Sequence, residues 1–194
     1  ILNNNNTNAN IIEISIKDYL KLSNTKKKVL KGYKTSIIFP EKELNIEPYV
    51  FGSLLGNIKD RIPDVYKYNS EENRLKLLAG LIDCKGIFKD IYFILDKETE
   101  FLLSDILYLI RSLGLYCYTK NNKIFIYGNI NKIPVQKFKN ENLDINKEDY
   151  KNLLTTNIKV NYIKEDKYYG FTLDGNCRFL FGDFTVTHNT CTSI

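Results

Sequence analysis

The residue pattern predicts an α+β chain, mostly β toward its two ends and interrupted by a block that alternates helices with strand pairs. Three observations carry this. Near the C-terminal end Tyr169, Phe171 and Leu173 alternate, as do Phe179 and Phe181, on either side of Asp174-Gly175-Asn176, the pattern of two half-buried strands joined at a turn. From Ser70 onward the chain reads helix, two strands, helix, two strands, helix. Fourteen Tyr and eleven Phe, against no Trp and no Met, point to an aromatic, strand-rich core.

At 194 residues the chain holds one large domain or two small ones. Its net charge of +5 is mildly basic, compatible with nucleic acid and equally with a lysine-rich solvated face. Cys84, Cys117, Cys177 and Cys191 show no CxxC spacing, and His188 is the sole histidine, so a zinc site of the usual kind is not predicted. Unpatterned cysteines without a visible signal peptide suggest a reduced intracellular setting, cytoplasmic or nuclear. No apolar run approaches membrane-spanning length. A chain without Met that opens on Ile1 is expected to be part of something longer.

In chain order, the Asn-rich stretch 3–10 is expected to be a surface loop. Ile12, Ile14 and Ile16 alternate with Glu13 and Ser15, which predicts a short strand. The Lys-rich run KDYLKLSNTKKKVLKGYKT predicts a short helix and turn leading into a strand over 33–39. Pro40-Glu41 opens a linker, and Glu47-Pro48-Tyr49 begins the next block. Ser70 is a good N-cap, Glu71 and Glu72 suit a first turn, and Gly86 suits a helix end, which frames a helix through RLKLLAGLIDCK. A hairpin over 86–95 should turn at Lys89-Asp90. Residues 97–113 form an amphipathic helix with Leu102, Ile106, Leu109 and Leu113 on one face, stopped by Gly114. Strands 115–118 and 123–127 should pair across Asn121-Asn122, and 146–154 suits a short final helix.

The chemistry concentrates at the C-terminal end, FGDFTVTHNTCTSI. An Asn side-chain amide can attack its own backbone carbonyl, close a succinimide and cut the following peptide bond. Asn189 is so placed, with His188 before it as a proton donor of near-neutral pKa and Thr190 after it as a hydroxyl acyl acceptor. Taken alone, His-Asn-Thr reads more readily as three polar residues in a surface loop. The longer run YYGFTLDGNCRFLFGDFTVTHN, residues 168–189, strongly resembles the C-terminal splicing region of inteins, self-excising protein segments with the HINT fold. The resemblance implies that Asn189 ends the intein and that 190–194 begin the host protein's downstream part. Asp174 and Asp183 are the nearby acids, candidates for assisting the site. Splicing needs no cofactor. The stretch IIEISIKDYLKLS resembles the part of an intein after its N-terminal splicing motifs; those motifs, with the first nucleophile, are not in this chain. A missing N-terminal intein portion is therefore an expected partner.

Residues 50–58, VFGSLLGNI, resemble the first LAGLIDADG motif of DOD-type homing endonucleases, and RLKLLAGLIDCKG closely resembles the second. Family members hold a divalent metal, typically Mg²⁺, between acidic residues at the eighth motif position of each helix. Here those positions are Asn57 and Lys85; Asp83 stands at the sixth, to which the family gives no metal role. Only residues 58–73 separate Asn57 from Arg74, too few for a complete first half-domain. The expectation is a degenerate, inactive endonuclease; the alternative is a working one that cuts double-stranded DNA. Tyr118, Lys120, Lys123 and Tyr127 are candidates for weak phosphate contacts on duplex DNA, with an exposed lysine-bearing sheet as the plainer reading. The expected domains are a partial splicing segment, 1–39, a reduced αββαββα insert, 40–154, the C-terminal splicing segment, 155–189, and the host start, 190–194. TCTSI would complete a GxxxxGK[ST] phosphate-binding loop after a Gly-Lys pair, which suggests an ATPase or helicase as host.

Overall fold

A computed structural model of the chain describes residues 11–58, 60–96, 100–139, 153–161, 163–164, 167, 173 and 175–188. Outside them lie the stretch 3–10, residues 169–172 of one expected strand, Asp174, most of the expected helix 146–154, and everything from Asn189 onward, Thr190 included. The structure is mixed α+β. Its elements begin with α1 (Ile16–Lys21), α2 (Asn24–Val29), β1 (Lys31–Tyr33), α3 (Pro48–Ile58), α4 (Asp64–Lys67) and α5 (Glu71–Lys85). Then come β2 (Ile87–Lys89), β3 (Tyr92–Asp96), α6 (Glu100–Ser112), β4 (Tyr116–Lys120) and β5 (Lys123–Tyr127), followed by a single 3-10 turn, Ile130–Lys132. The last three are β6 (Thr155–Asn157), β7 (Arg178–Leu180) and β8 (Val186–His188).

These elements cluster into two compact units. Of the described residues, one unit covers those from 35 to 154, and the other joins 11–34 to those from 155 to 188. The first division falls at 34/35 rather than 39/40. Lys34 bridges Thr185, whereas Ile37 already donates its N–H to the Ser112 carbonyl at 2.9 Å.

In the unit built from both flanks, β1 pairs antiparallel with β6, with Gly32 opposite Thr156. A Cβ on Gly32 would stand 3.0 Å from Thr156 Cγ2 and 3.3 Å from Thr185 Cγ2, so glycine lets two threonines close over the strand. Among its described residues the buried hydrophobics are Tyr19 and Phe184, and the Tyr19 hydroxyl donates to the Ile158 carbonyl at 3.3 Å. Two expectations are corrected here. No strand forms over 12–16: Ser15 Oγ accepts the Asp18 N–H at 3.0 Å and starts α1 at Ile16, while Ile12, Ile14 and Ile16 stay exposed. A local cap prevails over an alternation that has no neighbouring strand to take its ladder bonds. The strand expected over 33–39 lies earlier, at Lys31–Tyr33, because its partner β6 offers only three residues.

The unit over 35–154 is organised around α3 against α5. Ser70 Oγ caps α5 through the Asn73 N–H at 3.3 Å, and the Gly86 N–H closes it on the Ile82 carbonyl at 2.6 Å. The helices meet backbone to backbone. A Cβ on Gly52 would lie 2.2 Å from the Leu77 carbonyl oxygen, and one on Gly80 would lie 2.0 Å from the Tyr49 carbonyl oxygen. Leu77 is three residues before Gly80, and Tyr49 three before Gly52, so each helix presents the same offset to the other. One turn on, a Cβ on Gly56 would meet Cys84 Sγ at 2.9 Å, continuing the symmetry.

Strands β2 to β5 form one antiparallel sheet in the order β2-β3-β5-β4. Its first hairpin turns at Asp90-Ile91, one residue later than expected, since Lys89 opposes Tyr92. Its second turns at Asn121-Asn122, both at positive φ (49° and 61°), the two-residue turn that matches strand twist. Alternate residues Phe93, Leu95, Cys117, Ile124 and Ile126 face the core with Leu102, Ile106 and Leu109 of α6. Two buried polar clusters cross-link the unit. Arg74, fully buried, donates to the Asn69 carbonyl at 2.9 Å, to Ser112 Oγ at 2.6 Å and to the Ile37 carbonyl at 2.6 Å. Asp105 accepts from Lys67 Nζ at 2.9 Å and from the Ile62 N–H at 3.0 Å. No helix among the described residues is long and apolar enough to cross a membrane.

Candidate active site

The C-terminal hairpin positions the only histidine. β7 and β8 pair antiparallel with Arg178 opposite His188, Phe179 opposite Thr187 and Leu180 opposite Val186. The connection passes through Phe184 at φ 68°, a left-handed conformation held by burial of its ring. Asp183 fixes this turn: its carboxylate accepts from the Thr185 N–H at 3.1 Å and hydroxyl at 3.0 Å, and pairs with Lys34 Nζ at 3.0 Å. Burial acts to raise the Asp183 pKa, but Lys34 and the Thr185 donors outweigh it and hold the carboxyl below its usual range. Its described partners make Asp183 the tie between hairpin and Lys34. Asp174, the other acid expected to assist, lies outside the described residues, as do Asn189 and Thr190.

His188 closes β8, half-buried. Its Nε2 lies 3.2 Å from Glu13 Oε1, and the second oxygen of Glu13 accepts from Arg178 Nη2 at 3.1 Å. One carboxylate from the N-terminal flank thus spans the directly opposed Arg178 and His188 of the C-terminal hairpin. Such an arrangement can hold the imidazole at the end of β8 in one orientation.

The second constellation lies at the ends of α3 and α5. Asn57 is exposed in the last turn of α3; Lys85 is the last residue of α5 and lines a shallow recess with Gly56, Leu81, Leu95, Asp96, Leu102 and Ile106. A neutral amide and an ammonium group do not suit a divalent cation, which takes anionic and carbonyl oxygens. Asp83, the nearest acid in α5, is committed elsewhere. It accepts from the Tyr49 hydroxyl at 2.9 Å and from the backbone N–H groups of Gln136 and Lys137 at 2.5 and 3.1 Å. Burial first, and then this bond to Asp83, push the Tyr49 phenol up to about 12. Asp83 therefore pins the segment after β5 to the helix pair. Among the described residues no three His, Cys, Asp or Glu side chains gather as a metal site.

No protein-family model matches the sequence, and no curated protein matches it at a significant level.

Tyr118, Lys120, Lys123 and Tyr127 share the outer face of the four-stranded sheet. Lys120 opposes Lys123 and Tyr118 opposes Phe125. The aromatics there pack on one another: Tyr118 stacks on Phe125 at 4.9 Å between centroids, and Tyr92 lies 4.7 Å from Tyr127. Burial, together with the neighbouring Tyr118, raises the Tyr127 phenol well above its ordinary value.

Three residues of the His188 region escape sequence reasoning: Glu13, Lys34 and Arg178. Glu13 reads as the polar position of an alternating strand, Lys34 as one lysine among many, and Arg178 as a hairpin charge. Their roles come from pairing between chain ends more than 140 residues apart, as in Glu13 to Arg178 at a separation of 165. No local signal announces such a pairing.

Proposed function

We propose that this chain is the C-terminal part of an intein whose chemistry is cleavage after Asn189. The side-chain amide nitrogen of Asn189 attacks its own backbone carbonyl carbon, forming the ring C–N bond and losing a proton. The peptide C–N bond to Thr190 breaks, and the leaving amine takes a proton from His188, so charge and atoms balance. Because the attack is intramolecular, no second reactant has to be brought in. With a complementary N-terminal portion carrying the first nucleophile, Thr190 would first accept the upstream acyl group, and the same cyclisation would complete splicing. The host reading, a P-loop ATPase or helicase, rests on TCTSI alone.

The observation that carries this reading is the position of His188. It ends a strand in a unit assembled from both flanks of the chain, while 35–154 forms a compact unit of its own between them. That is the organisation expected of a HINT-type splicing domain interrupted by an insert. The glycine-seamed α3–α5 pair and the four-stranded sheet support reading the insert as a reduced LAGLIDADG relic. Asn57, Lys85 and the committed Asp83 favour an inactive nuclease over a working one, and no catalytic step is assigned to a metal.

Mass spectrometry of the purified, incubated protein tests the reading. Loss of residues 190–194 is expected, and Asn189→Ala should abolish it. An intact wild-type chain after prolonged incubation with the hairpin folded would contradict it.

A further inference from the structure

We propose that Glu13 is a positioning residue for His188: its carboxylate holds Nε2–H and leaves Nδ1 to exchange the proton at the scissile peptide. This rests on the cleavage reading above. Glu13 uses one oxygen on His188 Nε2 at 3.2 Å and the other on Arg178 Nη2 at 3.1 Å, and Arg178 stands directly across the hairpin from His188. An ordinary surface ion pair would need only Arg178. The second oxygen, on an imidazole, gives the carboxylate a different job. A carboxylate accepts only, so it selects the ring nitrogen that carries hydrogen; in the neutral ring the lone pair then falls to Nδ1, and in the cation Nδ1–H becomes the donor. Carboxylates that fix the tautomer and aim of a catalytic imidazole act in this way in unrelated enzymes.

The placement of Glu13 is itself built. Ser15, two residues on, caps α1 and sets where the helix begins, so the backbone before it leads the carboxylate to the strand end. Arg178 then anchors the carboxylate from the neighbouring strand, so Glu13 does not rely on His188 to stay in place. Cleavage at the C-terminal end therefore depends on the N-terminal flank being folded against the hairpin. A chain in which residues before α1 are displaced keeps Asn189 and His188 in sequence but loses the orientation of the ring.

Because His188 is the only histidine, a long-range imidazole ¹H–¹⁵N spectrum reports this one ring without assignment. In an Asn189→Ala background, which keeps the chain whole, the Nε2–H tautomer should dominate above neutral pH. Glu13→Ala should give the mixed tautomers of a solvent histidine, whereas Glu13→Gln, which retains an acceptor oxygen, should largely restore the pattern. With Asn189 present, Glu13→Ala should slow tail release at least ~10-fold and Glu13→Gln should recover most of that loss. Retained amide dispersion for Phe179 and Thr187 shows that the hairpin is folded in each variant. An unchanged tautomer and rate in folded Glu13→Ala overturns the positioning role while leaving cleavage itself standing. If wild type releases no tail, the cleavage reading falls, and the spectrum still decides whether Glu13 holds the ring.

Discussion

Replacing Gly80 with alanine asks whether the α3–α5 seam is what organises the 35–154 unit. On helix propensity alone the change should stabilise α5 by about 1 kcal/mol, since glycine is the poorer helix former. The structure predicts the opposite sign. The new Cβ would sit 2.0 Å from the Tyr49 carbonyl oxygen and 2.8 Å from the Ser53 nitrogen, both backbone atoms that no rotamer change can move. Relief requires the helices to separate by at least ~1 Å, and a gap of that size forfeits a quarter to a half of each contact across the seam. Leu55, Leu77 and Leu81 are almost fully buried beside it, so the loss spreads over many atom pairs. Overpacking of this kind costs about 3 kcal/mol, leaving a net destabilisation of about 2 kcal/mol after the propensity gain. For a unit of this size the thermal midpoint should fall by roughly 8 °C. Gly52→Ala should behave alike, because its Cβ meets the Leu77 carbonyl oxygen at 2.2 Å from the mirrored position. Thermal melts followed by far-ultraviolet circular dichroism decide the matter. An unchanged or raised midpoint in either variant would refute a backbone-to-backbone seam.

Three further outcomes are expected. Asp105→Ala should cost about 1–3 kcal/mol in urea unfolding, because it leaves the buried Ile62 N–H without its acceptor and Lys67 Nζ with only the exposed Asp64 carboxylate at 3.1 Å; no measurable loss would show the cluster to be solvated. Asp183 has a depressed folded pKa, so its contribution is fully present above the unfolded carboxylate pKa and is lost as pH falls through the lower folded value. Wild type should therefore lose stability relative to Asp183→Asn as acid is added below about pH 4, with no such difference emerging if Asp183 is unpaired. Incubation with magnesium and duplex DNA carrying the uninterrupted host site should leave the DNA intact, and gel shifts should show no discrete complex at physiological salt. Magnesium-dependent double-strand cuts would restore the endonuclease alternative.

What could be read from the chain beforehand was whatever is encoded locally. Ser70, Glu71, Glu72 and Gly86 frame α5, and Asn121-Asn122 names a turn whose positive φ angles the structure carries. Phe179 and the stretch leading to His188 lie in paired strands. The strand expected at 12–16 failed because alternation describes a surface, whereas a ladder needs a partner; Ser15 settled the matter with one hydrogen bond. What was hidden is non-local. Asp83 reads as a near miss for a catalytic acid until the amides of Gln136 and Lys137 are seen closing on it. Arg74 looks like an ordinary helix-surface cation, yet it is fully buried because two carbonyls and a hydroxyl from Ile37, Asn69 and Ser112 take its donors. Glu13 carries no mark in the sequence of its pairing with His188.

The decisive measurement is the chemical identity of the new C-terminus. Tandem mass spectrometry of the incubated wild-type protein should find a chain ending at Asn189 as a succinimide, or its hydrolysis products, together with the free peptide TCTSI. A chain that stays whole, or one cut elsewhere to leave an ordinary carboxylate that survives Asn189→Ala, would mean that the Asn189 side chain does not break this bond.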